Sequence, residues 1–162
     1  LSAVPIQHLP SAKSLYSPDE HAQSEDCLTL NLWSAARHKS ERRPVMVCFH
    51  LGVFIFGSSA WSGHANGSPL FDGSALARLG AVVVTVNYGL GRQGFLSLPG
   101  LGAESGHNAS GNYGFLDQVA VLKWVRENIE QFGGDPENVT IFGVSAGSAT
   151  CSLHMASPLS RG

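Results

Sequence analysis

The stretch "VTIFGVSAGSAT", residues 139–150, decides the fold. Four strand-like residues, Val139 to Phe142, run into Gly143-Val144-Ser145-Ala146-Gly147, and a helix-capable segment, "SATCSLHMA", follows. A sharp turn from strand to helix forces its central serine into a strained backbone conformation and lifts the hydroxyl to the sheet's carboxyl edge. Gly143 and Gly147 suit such a turn, because strand and helix cross too closely there for side chains. The N-terminus of the following helix offers free N–H groups, so the Ala146 amide faces a developing oxyanion. With 19 glycines in the chain, the five-residue pattern alone carries little. The strand before it and the helix after it carry the reading of Ser145 as a nucleophile.

Working outward, the apolar set Val119, Leu122, Val125, Ile129 and Phe132 recurs at steps of three and four. That spacing predicts an amphipathic helix from Phe115 to Phe132, stopped by Gly133-Gly134 and Pro136. Further upstream, "AVVVTVNY" (81–88) is rich in β-branched residues and reads as a strand. "VMVCFH" (45–50) is a short continuous apolar run suited to a fully buried strand. "CLTLNLW" (27–33) alternates, with Leu28, Leu30 and Leu32 on one face. Leu70 to Leu79 reads as a short helix ended by Gly80. Two long glycine-rich loops cover 51–69 and 89–112, and residues 1–23 read as irregular. Strands alternating with helices predict an α/β domain with a mostly parallel sheet.

Composition narrows the function classes. Hydrophobic residues make up 43% and charged residues 14%, as expected when parallel strands are buried on both faces. Net charge is -2, with no basic cluster beyond Arg42-Arg43, so there is no nucleic-acid footprint. No apolar run is long enough to span a bilayer. The first residues lack the design of a signal peptide, and there is no initiator methionine, so the chain reads as mature, processed or incomplete at its start. Sequons at Asn66, Asn108 and Asn138 point to a secreted or lumenal setting. Cys48, within an apolar run, reads as a buried free thiol. Any partner of Cys27 is Cys48, Cys151 or a residue outside these 162. His64 and His107 have no spacing that marks a metal site.

A second oxyanion donor is expected from a loop after an earlier strand, and "FHLGVFIFG" (49–57) stands there. Together, "SEDCLTLNLW", "PVMVCFHLGVFIFG", "AVVVTVNYGLGRQGFL", "GNYGFLDQVAVLKWVRENIEQFGGDPENVTIFGVSAGSAT" and "HMASPLSRG" resemble, in order and spacing, the type B carboxylesterases, the cholinesterase-like branch of the α/β-hydrolases. The resemblance covers nearly all of the chain from Ser24 onward. It implies a partial α/β-hydrolase fold, with residues 24–162 forming the N-terminal part of a catalytic domain incomplete at both ends. It implies hydrolysis of small carboxylic esters through an acyl-serine at Ser145, with an oxyanion hole from the amides of Gly52, Val53 and Ala146 and no cofactor or metal. It also implies that Cys27 pairs with an upstream cysteine, which these residues do not contain.

The chain departs from that family where it matters. His50-Leu51-Gly52-Val53-Phe54 replaces His-Gly-Gly-Gly-Phe. Val53 keeps a backbone N–H, but a β-branched residue disfavours positive φ. A misaimed donor costs about 2.7–4 kcal/mol in the transition state. Val144 replaces a glutamate before the serine, and Gly89 replaces an arginine expected in a structural ion pair. His50 reads as a packing or loop-bonding residue, Asp117 and Arg126 as structural or surface partners, and Asp135 as a turn residue. The alternative function is a catalytically inactive cholinesterase-like domain used in binding or adhesion. Intact Ser145 favours the enzyme; Leu51 and Val53 favour the alternative. Residues 146–162 contain no Asp or Glu, and their one histidine, His154, lies nine residues along the helix from Ser145. At 1.5 Å per residue that is more than ~12 Å away.

Overall fold

The computed structural model describes residues 3–8, 22–60 and 70–160. Its elements are β1 (Leu30–Ser34), β2 (Arg43–Phe49), α1 (Ser74–Arg78), β3 (Val82–Val86), α2 (Gly91–Phe95), α3 (Pro99–Glu104), α4 (Tyr113–Asn128), β4 (Gly134–Gly143) and α5 (Ala146–Ala156). The sheet order is β1-β3-β2-β4. β2 is parallel to both β3 and β4, and only β1, at one edge, runs antiparallel. The sheet is therefore mostly parallel, as the sequence predicts.

The valines set the register. Val45, Val47 and Phe49 of β2 stand beside Val82, Val84 and Val86 of β3. All six are fully buried, and Val125 and Ile129 from α4 and the turn after it cover them. β3 is buried along its whole length, because both of its faces are covered. On the opposite face Cys48 joins Phe71 and Leu51 in a smaller cluster. Gly73, just before α1, lies so close to Val83 that a Cβ there would sit 2.7 Å from its Cγ1. The sheet is thus sandwiched between α1 on one side and α4 with its following turn on the other.

Four expectations need correction. The second long loop, 89–112, contains two short helices, α2 and α3; Pro99 opens α3 with its fixed φ. β4 begins at Gly134, not at Val139. Its pairing with β2 jumps from Arg43↔Gly134 to Val45↔Val139, so residues 135–138 bulge out of the ladder. Asp135 still bends the chain inside that bulge by accepting the Glu137 N–H at 3.0 Å, and it also pairs with Arg42. Leu28 lies before β1 and is 59% exposed, so the alternating face begins at Leu30. Phe132, in the turn after α4, is also exposed. The three cysteines are free thiols, with Cys27 and Cys48 buried.

Residues 3–8 form no regular element but are stitched to the domain. Val4 pairs with the 22–24 segment through Val4 N–H to Ala22 O at 2.9 Å and Ser24 N–H to Val4 O at 3.0 Å. Residues 61–69, which include His64 and Asn66, lie outside the described residues, as do residues 9–21.

Candidate active site

β2 and β4 are neighbours and end on the same row, Phe49 opposite Gly143. Strands in a sheet are about 4.8 Å apart, so whatever follows these two ends is brought together. After β2 comes the loop His50–Gly57. After β4 come Val144 and Ser145, and then α5.

Ser145 occupies the N-terminal cap of α5 with φ 56° and ψ -118°, a combination that side-chain-bearing residues rarely adopt. It is exposed. The two glycines explain how the turn is possible. A Cβ on Gly147 would lie 2.0 Å from the Phe49 carbonyl oxygen, and one on Gly143 would lie 2.6 Å from that same oxygen. The helix start is therefore pressed against the last residue of β2, main chain to main chain.

The loop after β2 turns through three successive residues of positive φ: Gly52 (125°), Val53 (57°) and Phe54 (62°). A Cβ on Gly52 would overlap the Phe56 carbonyl oxygen at 1.6 Å, so glycine is obligatory there. Ile55 and Phe56 both donate to the Gly52 carbonyl, at 2.9 and 3.1 Å. Val53 adopts the left-handed conformation despite its branched side chain, 62% exposed. The Phe54 carbonyl accepts from Gly91 N–H at 2.7 Å, and its ring meets Phe95 and Phe115 edge-on, each at 5.4 Å. Among the described residues, no backbone acceptor takes the amides of Gly52, Val53 or Ala146. The structure thus gathers Ser145, Gly52, Val53 and Ala146 at the ends of two adjacent strands.

His50 sits beneath this loop, 1% exposed and stacked on Tyr88 with ring centroids 4.4 Å apart. Its Nδ1 lies 2.7 Å from the Leu51 carbonyl oxygen. A carbonyl only accepts, so Nδ1 carries the proton. Burial pushes the imidazole pKa down to about 4, against a small opposing effect of that hydrogen bond. His50 is therefore a neutral packing and loop-bonding residue. The Leu51 carbonyl it grips belongs to the same peptide plane as the Gly52 N–H, a link that the sequence does not show.

His154 is committed elsewhere. It is 5% exposed, with Nε2 3.0 Å from Gln118 Oε1 and Nδ1 2.7 Å from Ser160 Oγ. Its ring packs on Phe49 at 5.3 Å. The Gln118 oxygen accepts, so Nε2 holds the proton and Nδ1 accepts from Ser160. Burial lowers its pKa. Asp117 accepts the Gly89 N–H at 2.9 Å. Burial raises its pKa and this hydrogen bond partly offsets the rise. Asp117 is thus a structural partner of the Gly89 backbone. Burial, reinforced by the Asp117 and Asp26 carboxylates, raises the Cys27 pKa, so this thiol is a poor nucleophile at neutral pH. Among the described residues no group of three or more His, Cys, Asp or Glu can hold a metal ion, and no helix is long and apolar enough to cross a membrane.

Comparison with known proteins places the chain among esterases by sequence and by fold. The model of the carboxylesterase family matches residues 3–162. The fumonisin B1 esterase of Sphingopyxis macrogoltabida is 50% identical over 138 residues, which are 85% of this chain and 24% of that protein. The para-nitrobenzyl esterase of Bacillus subtilis (strain 168) is 49% identical over 141 residues, 86% of this chain and 26% of that protein. Among solved structures, an esterase from the anaerobe Clostridium hathewayi superposes with a TM-score of 0.83 at 40% identity, covering 99% of this chain and 31% of that one. The chain thus spans about a quarter of the length of the curated relatives it matches.

Proposed function

The chain belongs to the carboxylesterase family and carries part of its α/β-hydrolase fold, and on that premise we propose that Ser145 is the nucleophile of a carboxylic ester hydrolase. The observation that carries this reading is the strained, exposed Ser145 at the head of α5, with Gly147 pressed onto the end of the strand that leads into the Gly52–Val53 loop. Ser145 Oγ attacks the ester carbonyl. The carbonyl oxygen gathers negative charge, and the amides of Gly52, Val53 and Ala146 are free to donate to it. Expelling the alcohol leaves an acyl-serine, which water then hydrolyses. The substrate is a small-molecule ester, and the reaction as drawn uses no cofactor.

A serine hydroxyl needs a base. In this fold the order is serine, acid, histidine, and no Asp or Glu lies in 146–162. His154 is held by Gln118 and Ser160 and faces away from that task. The acid and the histidine therefore lie outside these 162 residues, and the residues on their own are expected to show no Ser145-dependent turnover. Exposed sequons at Asn108 and Asn138 support a secreted or lumenal setting, tested by an endoglycosidase mass shift after secretory expression.

A fluorophosphonate probe tests the reading. The intact protein should be labelled at Ser145, with loss of nitrophenyl acetate hydrolysis, and Ser145→Ala should abolish both. A folded protein that is never labelled would leave the non-catalytic binding role, for which the substitutions at Leu51 and Val53 argue.

A further inference from the structure

The loop His50–Gly57 closes on itself. At its start, His50 Nδ1–H holds the Leu51 carbonyl. At its end, Gly57 (φ 129°) lies so near that a Cβ there would sit 2.4 Å from His50 Nδ1 and 2.5 Å from the Leu51 oxygen. Between these ends lie the three positive-φ residues. Such conformations persist only where the surroundings over-determine them. The start and middle of the loop have visible anchors in His50, Gly91 N–H and the Phe54 ring contacts.

The far end is held by a residue 50 positions upstream. The Gln7 side-chain amide donates from Nε2 to the Gly57 carbonyl at 3.0 Å and accepts the Gly57 N–H on Oε1 at 2.6 Å. Both backbone groups of one glycine are thus paired with one side chain, as a neighbouring strand would pair them. Nε2 also reaches the Pro5 carbonyl at 3.0 Å. Gln7 is itself fixed, because its N–H donates to Gln23 Oε1 at 2.8 Å and Val4 is tied to the 22–24 segment.

We propose that Gln7 is a positioning residue for ester hydrolysis, clamping Gly57 so that the Gly52 and Val53 amides stay aimed at the oxyanion. The proposal rests on the reading of Ser145 as nucleophile given above. Gln7 touches no reacting atom and acts through the loop. Its chemistry is specific, because the clamp needs a donor and an acceptor on one planar group. An amide supplies both, and so does a protonated carboxyl. A carboxylate supplies no donor and sets its charge against the Gly57 carbonyl.

The test compares the wild-type intact protein with Gln7→Ala and Gln7→Glu. The readouts are nitrophenyl acetate kinetics, the rate of Ser145 phosphonylation and urea unfolding. For Gln7→Ala, kcat and phosphonylation are expected to fall about tenfold, the lower end of the loss when a hydrogen bond that orients a metal ligand is removed. KM is expected to hold. For Gln7→Glu the loss is expected to be as large at pH 8 and to shrink relative to wild type toward pH 5, as the new side chain takes up a proton. Dividing by wild type at each pH cancels the titration of the catalytic groups that all three proteins share, His50 stays neutral over this range, and Gln7→Ala should give a flat ratio. If both variants match wild type while Ser145 is labelled, the clamp role is wrong and the nucleophile stands. A Gln7→Glu ratio that is flat with pH, or a loss that follows unfolding, likewise overturns it. If wild type is never labelled at Ser145, the nucleophile itself is wrong, and the clamp falls with it.

Discussion

Val53→Gly should raise turnover. Val53 sits at φ 57°, a region that costs a side-chain-bearing residue about 1–2 kcal/mol and a β-branched one more than most. Its side chain is 62% exposed, so truncation forfeits little burial. Glycine relieves the strain but gives the unfolded chain extra freedom, which costs about 0.4–1 kcal/mol. The net stability change is therefore between about zero and +1.5 kcal/mol. The catalytic gain has a separate origin. If strain drives the loop part of the time into a relaxed form with the amide turned away, removing about 1.4 kcal/mol shifts that local equilibrium roughly tenfold. We expect kcat on nitrophenyl acetate to rise between about threefold and tenfold, with KM steady. Val53→Asn separates the causes, since asparagine tolerates the left-handed region while retaining bulk. It should recover much of the gain if backbone strain is the limit. Unchanged or lower kcat in a folded Val53→Gly protein would show that the loop holds its conformation without loss, and would refute the argument.

Other outcomes follow from the same geometry. Ser145→Gly should abolish activity yet stabilise the fold by about 1 kcal/mol relative to Ser145→Ala in urea unfolding, because only glycine relaxes at this φ and ψ. Gly147→Ala places a methyl 2.0 Å from the Phe49 oxygen. It should cost about 1–3 kcal/mol of stability and about a hundredfold in kcat through displacement of the serine. His50 is held neutral, its pKa lowered from 6.5 to about 4. As pH falls below 6.5 the unfolded chain takes up a proton that the fold refuses, so stability drops down to pH 4. By linkage the loss at pH 5 is about 2 kcal/mol. Urea unfolding at pH 8 and pH 5 should show this extra loss in wild type but not in His50→Gln; equal losses would refute it.

The strands and the elbow were legible because their signals are local. Five consecutive buried residues, Val82–Val86, and the glycines flanking Ser145 state their own constraints. The bulge at 135–138 was hidden because it arises from pairing with Arg43 and Val45, more than 90 residues away. The helices α2 and α3 escaped because short helices made partly of glycine have no apolar period to read. At Val53 the sequence correctly flagged a misfit, but whether the valine would yield or the loop would, only the tertiary contacts of Phe54, His50 and Gly57 decide. The Gln7 clamp had no sequence signature, being one polar side chain in an irregular segment.

The contact between Gly147 and Phe49 has a consequence for how such a site diversifies. It is made by main-chain atoms, so it is blind to the identity of neighbouring side chains. Leu51 turns into the Cys48–Phe71 cluster, and Val53 turns outward. Lineages can therefore vary these two positions, and at Val53 alter the aim of one amide, while inheriting unchanged the seat of the nucleophile on the end of β2. Gly143 and Gly147 have no such licence, because any atom added there displaces the ruler itself. Drift at this site is channelled, free where side chains leave the backbone and blocked where backbones touch.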